Sequence, residues 1–148
     1  MSDFATFTAN YARYRQTLNK ANALNKALIF EALAAAGITA LTIDFDGEGD
    51  SGQIDGIGAR AGDTPVTVPA TPITLHRVPW DSDQRQTVET TLPDAIETLC
   101  YAYLEQEHEG WENNDGAYGL FEFDVAARTI HLDFNARFTD VHHSSHDF

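Results

Sequence analysis

Apolar side chains recur every three or four positions in the first quarter of the chain: Phe4, Phe7, Tyr11, Tyr14, Leu18, Ala21, Leu28 and Ala32, widened by Ile29, Leu33 and Ala36. This is the period of a helix with one buried face. No Gly or Pro interrupts residues 3–36, and Gly37 suits the left-handed cap that closes helices. Two readings fit. One is a single helix of about 30 residues, about 45–50 Å long. The other is two helices broken around residues 19–25, where three Asn lower helix propensity. In both, residues 24–36 form the half that packs on a sheet.

The period then changes from 3.6 to 2. In residues 39–46, Leu41, Ile43 and Phe45 alternate with Thr42, Asp44 and Asp46, the pattern of a strand with one buried face. Gly47, Gly49 and Gly52 punctuate a turn, and residues 53–60 read as the returning strand. Residues 61–72 are rich in Gly, Pro and Thr; they predict an irregular excursion with a short edge strand at 66–68, since Pro65 and Pro69 exclude a central one. Residues 73–78 predict a third strand, and 79–87 a polar turn with Trp80 packing back on the core. Pro93 opens a second helix with Asp94 and Glu97 in its first turn. Its buried stripe is Ala95, Ile96, Leu99, Cys100, Tyr103 and Leu104, and Gly110 ends it. Residues 120–125 and 129–134 predict a second hairpin, with Phe121, Phe123 and Val125 sharing an inner face with Ile130, Leu132 and Phe134. Residues 135–148 read as a disordered polar tail.

The order predicts an α+β domain: an antiparallel sheet of two β-hairpins plus an additional strand, with a long N-terminal helix and a second helix on one face. It divides into a helical segment 1–37, a core 38–135 and a His-containing tail 136–148.

Charge changes the picture. The 148-residue chain carries a net charge of −14, yet residues 1–38 hold four bases and two acids. The rest therefore carries −16, which repels nucleic acids and anionic membranes and suits a basic protein partner or a cation. The N-terminal stripe has a seven-residue period and a helix longer than one compact domain needs, so it either packs on a second copy, giving a homodimer through this helix, or folds back on its own domain; the homodimer is the expectation taken. Cys100 is the single cysteine, which excludes an intramolecular disulfide and a thiolate metal cluster. No signal peptide and no apolar run long enough for a membrane span is recognisable, so the expected location is cytoplasmic.

Candidate chemistry lies in two glycine-punctuated turns. The first carries Asp44, Asp46, Glu48, Asp50 and Asp55 without Lys or Arg. Counting Asp44 as position one puts Asp46 at three, Glu48 at five, Gly49 at six and Asp55 at twelve, a superficial calcium-loop spacing. Ser51 at position eight, a final Asp instead of Glu and a preceding strand all depart from that motif. The second turn holds Trp111, Glu112, Asn113, Asn114, Asp115 and Tyr118, where the two aromatic rings would stack on a ligand or close the core. If the hairpins pair, the two turns share one end of the sheet. His142, His143 and His146 have zinc-like spacing, but the tail reading takes precedence. Gly49-Asp50-Ser51-Gly52 lacks the strand-to-helix turn of a nucleophile elbow. No phosphate-binding or dinucleotide-binding glycine motif and no H-E-x-x-H is present.

Three pieces, F-D-G-E-G-D-S-G-Q-I at 45–54, L-P-D-A-I-E-T-L-C-Y-A-Y-L-E at 92–105 and E-H-E-G-W-E-N-N-D-G-A-Y-G-L-F-E-F-D-V at 107–125, resemble an uncharacterised family of small acidic proteins of phages and bacterial mobile elements. The resemblance covers residues 28–135 and implies a genomic context without a chemistry. Together these readings lead to a non-enzymatic acidic binding module without a resident cofactor. It would inhibit a host nucleic-acid-handling or defence system by occupying a basic groove. The alternative is a metal-dependent hydrolase or nuclease using Asp44, Asp46, Asp50 and Asp115 as oxygen ligands.

Overall fold

The computed structural model describes residues 2–48, 51–78, 86–108, 116–136 and 142–148. Helix α1 is one continuous helix, Ser2–Ala35, which decides between the two readings of the N-terminal stripe. The asparagine at 25 does not break it because its buried amide finds partners on a strand. Asn25 Oδ1 accepts from the His76 N–H at 2.8 Å, and Asn25 Nδ2 donates to the His76 carbonyl at 2.8 Å. The helix closes as expected: Gly37 has φ of 77°, and the Ile38 N–H reaches back to the Leu33 carbonyl.

Strands β1 (Ala40–Glu48) and β2 (Ser51–Ala61) form the first hairpin, β6 (Ala117–Asp124) and β7 (Thr129–Ala136) the second. The hairpins join along β1 and β6, which are antiparallel with Ile43 opposite Phe121 and Gly47 opposite Ala117. The six-stranded sheet has the order β3-β2-β1-β6-β7-β8. Its edges are β3 (Thr64–Val66) and β8 (His142–Asp147). The edge strand at β3 begins two residues before the expected 66–68 and includes Pro65, which an edge tolerates.

Two expectations are corrected. The additional strand, β4 (Pro72–Arg77), does not join the main sheet. It pairs with β5 (Gln86–Thr91) in a separate two-stranded sheet against the helices. β5 lay partly inside the expected polar turn because Val88 is its one apolar residue and is exposed. Backbone pairing, and not apolar alternation, makes it a strand. Likewise part of the expected disordered tail, His142–Asp147, forms the strand β8. It pairs with β7 from His131 opposite Asp147 to Ala136 opposite His142. Phe148 then stacks on Tyr103 at 4.3 Å between ring centroids.

Helix α2 (Leu92–Glu107) starts with Pro93 in its first turn, where the missing N–H costs nothing. Both helices pack on one face of the sheet. Ile29, Phe30 and Leu33 of α1 and Ile96, Leu99 and Leu104 of α2 share one core with Leu41, Ile43, Phe45, Phe121, Phe123, Leu132 and Phe134. Ring centroids of Phe30 and Phe123 lie 5.7 Å apart, as do those of Phe45 and Phe121. Each fully buried Phe contributes about 2–3 kcal/mol by leaving water. The architecture is α+β. Cys100 is fully buried in this core, and burial pushes its thiol pKa up, so it is inert as a nucleophile.

A β-bulge marks the first hairpin. The register shifts between Asp44, opposite Gly56, and Phe45, opposite Ile54, so Asp55 is the extra residue of β2. The next amide, Ile54 N–H, donates to the Tyr101 hydroxyl at 2.8 Å. The bulge is thereby tied to α2.

Candidate interaction surface

Because side chains alternate along a strand, burying one face of the sheet under helices fixes the other. Outward positions are Thr42, Asp44 and Asp46 on β1; Arg60 on β2; Tyr118, Leu120, Glu122 and Asp124 on β6; His131, Asp133 and Asn135 on β7; and His143, Ser145 and Asp147 on β8. No described helix or strand covers this face. The register lines them up in rows. Asp46 lies opposite Tyr118, which lies opposite Asn135, which lies opposite His143. Asp44, Leu120, Asp133 and Ser145 form the next row, and Thr42, Glu122, His131 and Asp147 the third. Gly56 and Gly58 stand opposite Asp44 and Thr42. Nothing lies within 4 Å of a Cβ added at Gly56. The missing side chains leave this side of Asp44 open.

The result is a face with Asp44, Asp46, Glu122, Asp124, Asp133 and Asp147. Arg60 is the one Lys or Arg at a described outward strand position of this sheet. A shallow groove of about 400 Å³ crosses it, lined by Thr42, Arg60, Glu122, Asp124 and His131 among others. At the β8 edge the acids are threaded by histidines. His131 Nδ1 pairs with Asp147 Oδ1, and His131 Nε2 lies 3.3 Å from Asp133 Oδ1. His143 Nε2 reaches the same oxygen at 3.2 Å. The Asp147 hydrogen bond, with Asp133 adding to it, raises the His131 pKa above its ordinary value. These pairs are solvent-exposed and worth little in stability. Protonation of His131 moderates the negative potential of the edge as pH falls, leaving the centre of the face the more acidic part.

The two predicted turns are brought together, as far as they are described. Gly47 faces Ala117 across the sheet, so the strand ends carrying both turns are neighbours. Tyr118 is exposed and faces Asp46, and Gly116 adopts φ of 80° to enter β6. Asp50, Trp111, Glu112, Asn113, Asn114 and Asp115 lie outside the described residues, as does Trp80; Glu48 is placed only as a strand position opposite Ser51. The described residues of the calcium-like spacing pair as two strands, from Asp44 opposite Gly56 to Glu48 opposite Ser51, and residues 49 and 50 lie outside the described residues. Asp44 and Asp46 stand on one face about 7 Å apart, and Asp55 sits at the bulge. No group of three or more His, Cys, Asp or Glu among the described residues is arranged around a common metal position.

The zinc-like H-H-S-S-H spacing is also split by alternation. His143 faces outward to Asp133, while His146 faces inward to α2. There His108 Nε2 lies 2.9 Å from His146 Nε2, and the His108 ring stacks on Phe134 at 3.6 Å. Burial lowers the His108 pKa; His146 adds to this and Glu107 opposes it. Glu122, Asp124, His131 and Asp133 were not singled out from the sequence. The signal was available: each is two residues from another outward position in a strand whose inner positions are apolar.

A family model matches residues 21–148. The chain belongs to the family of unknown function DUF6878. The match extends beyond the 28–135 covered by the sequence resemblance and takes in β8 with its histidines. Of α1, the DUF6878 match includes the half that packs on the sheet and excludes residues 1–20, which carry the aromatic stripe. No curated protein and no solved structure matches the chain. No described helix is long and apolar enough to cross a membrane.

Proposed function

We propose that this DUF6878 protein is a non-enzymatic binding module whose open, acidic sheet face docks on a basic protein surface. The observation that supports this reading is the face itself. Six carboxylates are displayed on a rigid sheet against a single arginine, with no described element covering them. A partner that handles nucleic acid offers complementary chemistry, since its groove is built for phosphates. A chain of phage or mobile-element origin would inhibit such a host system by filling that groove. The same charge disfavours direct binding to nucleic acid.

Asp44 and Glu122 are exposed and Asp46 is half-exposed on the same face, so neutralising all three removes charge from the centre of the docking surface. A partner captured from host lysate should associate with the triple variant Asp44→Asn, Asp46→Asn, Glu122→Gln about tenfold more slowly or worse at low salt. The difference should shrink at about 0.5 M salt, where charges are screened. Equal on-rates at low salt would remove this face from the interface.

A second copy of the chain is the other partner we infer. Tyr11, Tyr14 and Leu18 line a groove of about 360 Å³ with Ala102 and Gln106 of α2, and this basic half-helix complements an acidic body. Leu18→Glu should halve the mass seen by light scattering. A full-length chain already monomeric at high micromolar concentration would overturn the dimer.

A further inference from the structure

The inward side of β8 carries a constellation that the docking face does not use. His146 projects from the edge strand towards the C-terminal end of α2, where it meets His108 Nε2-to-Nε2 at 2.9 Å. The rings are inclined at 70° with centroids 4.9 Å apart. Ser144 Oγ, on the same side of β8, is 3.4 Å from His108 Nε2. Glu107 Oε2 lies 3.7 Å from the far nitrogen of His146, Nδ1. Stacking on Phe134 fixes the His108 ring.

We propose that His108 and His146 form a bis-imidazole site for one divalent transition metal ion such as zinc, nickel or copper. Two imidazole nitrogens bound cis to one metal at about 2.0–2.1 Å each are about 2.9–3.4 Å apart. The pair already has that separation. The Glu107 carboxylate, 3.7 Å from His146 Nδ1, favours by its charge the tautomer with the proton on that nitrogen, and that tautomer leaves Nε2 as a lone pair facing His108. Such a carboxylate behind a ligating histidine is the usual outer partner of a metal site. Ser144 Oγ and water complete the coordination, so the site needs no third histidine or carboxylate. Imidazole donors select a transition metal over calcium or magnesium, which prefer oxygen. The ion would staple β8 to α2. The two ligands lie 38 residues apart in sequence, so no local spacing announces them.

The test is thermal melting of the untagged full-length chain at neutral pH, with zinc, nickel or copper titrated against metal-free protein. Binding to the folded state raises the melting temperature by mass action. The expected rise is about 5 °C at saturating metal, with one ion bound per chain by calorimetry. His108→Gln and His146→Gln each lose the metal-induced rise, whatever their own melting temperatures. His143→Gln keeps it, because that ring is on the other side of β8. No shift with any of the three metals, or an undiminished shift in both His108→Gln and His146→Gln, overturns the site.

Discussion

Gly119→Ala should lower the unfolding free energy by about 3 kcal/mol or more, equivalent to a fall of about 10 °C in melting temperature for a chain of this size. Gly119 is an inward position of β6, between Phe45 on β1 and Phe134 on β7. A Cβ there would run into the Asp133 carbonyl oxygen and meet Phe45 Cζ at 3.0 Å. The first obstacle is backbone, so rotamer changes cannot relieve it. Phe45 is itself held against Phe121 and Phe134, with centroids 5.7 and 6.1 Å away. The glycine closing the G-A-Y-G motif is thus demanded by close approach and not by a turn. Chemical denaturation measures the loss. A midpoint within error of the parent would show that β6 and β7 are not packed as described.

Asn25→Ala should cost about 2–3 kcal/mol, because it leaves two strand-edge groups of His76 without partners. β4 has β5 on one side only. On the other, the Asn25 amide supplies both a donor and an acceptor, as a neighbouring strand would. The loss should be local as well as global. Hydrogen exchange in Pro72–Arg77 should accelerate more than in β1 or β6. Uniform acceleration across both sheets would mean that Asn25 stabilises the helix alone.

Much of the fold was legible where one face of an element is apolar. Leu41, Ile43 and Phe45 announced β1, Phe121 and Phe123 announced β6, and the Ala95–Leu104 stripe announced α2; all are buried. Legibility failed where pairing is carried by backbone alone. β5 buries no aliphatic side chain, and β8 offers His and Ser where an inner strand would offer Val or Ile. The asparagines misled for a related reason. Propensity describes an Asn on an isolated helix, whereas Asn25 is paid for by tertiary hydrogen bonds. The acidic surface was half legible. Asp44 and Asp46 were recognised, but as part of a loop, because glycines at 47, 49 and 52 suggested a wide turn. In the structure Gly47 and Gly52 face one another in the ladder. That moves the centre of the candidate surface from the turn onto the sheet, where Glu122, Asp124 and Asp133 join from strands far along the chain.

Carboxyl footprinting of the free and partner-bound protein tests the docking face most directly. Carbodiimide coupling labels accessible Asp and Glu side chains, and mass spectrometry reads each one. Binding should protect Asp44, Asp46 and Glu122, while Asp63, Glu89 and Asp94, which are not on this face, label as before. Unchanged labelling at Asp44, Asp46 and Glu122, with protection at the other three, would contradict docking through this face.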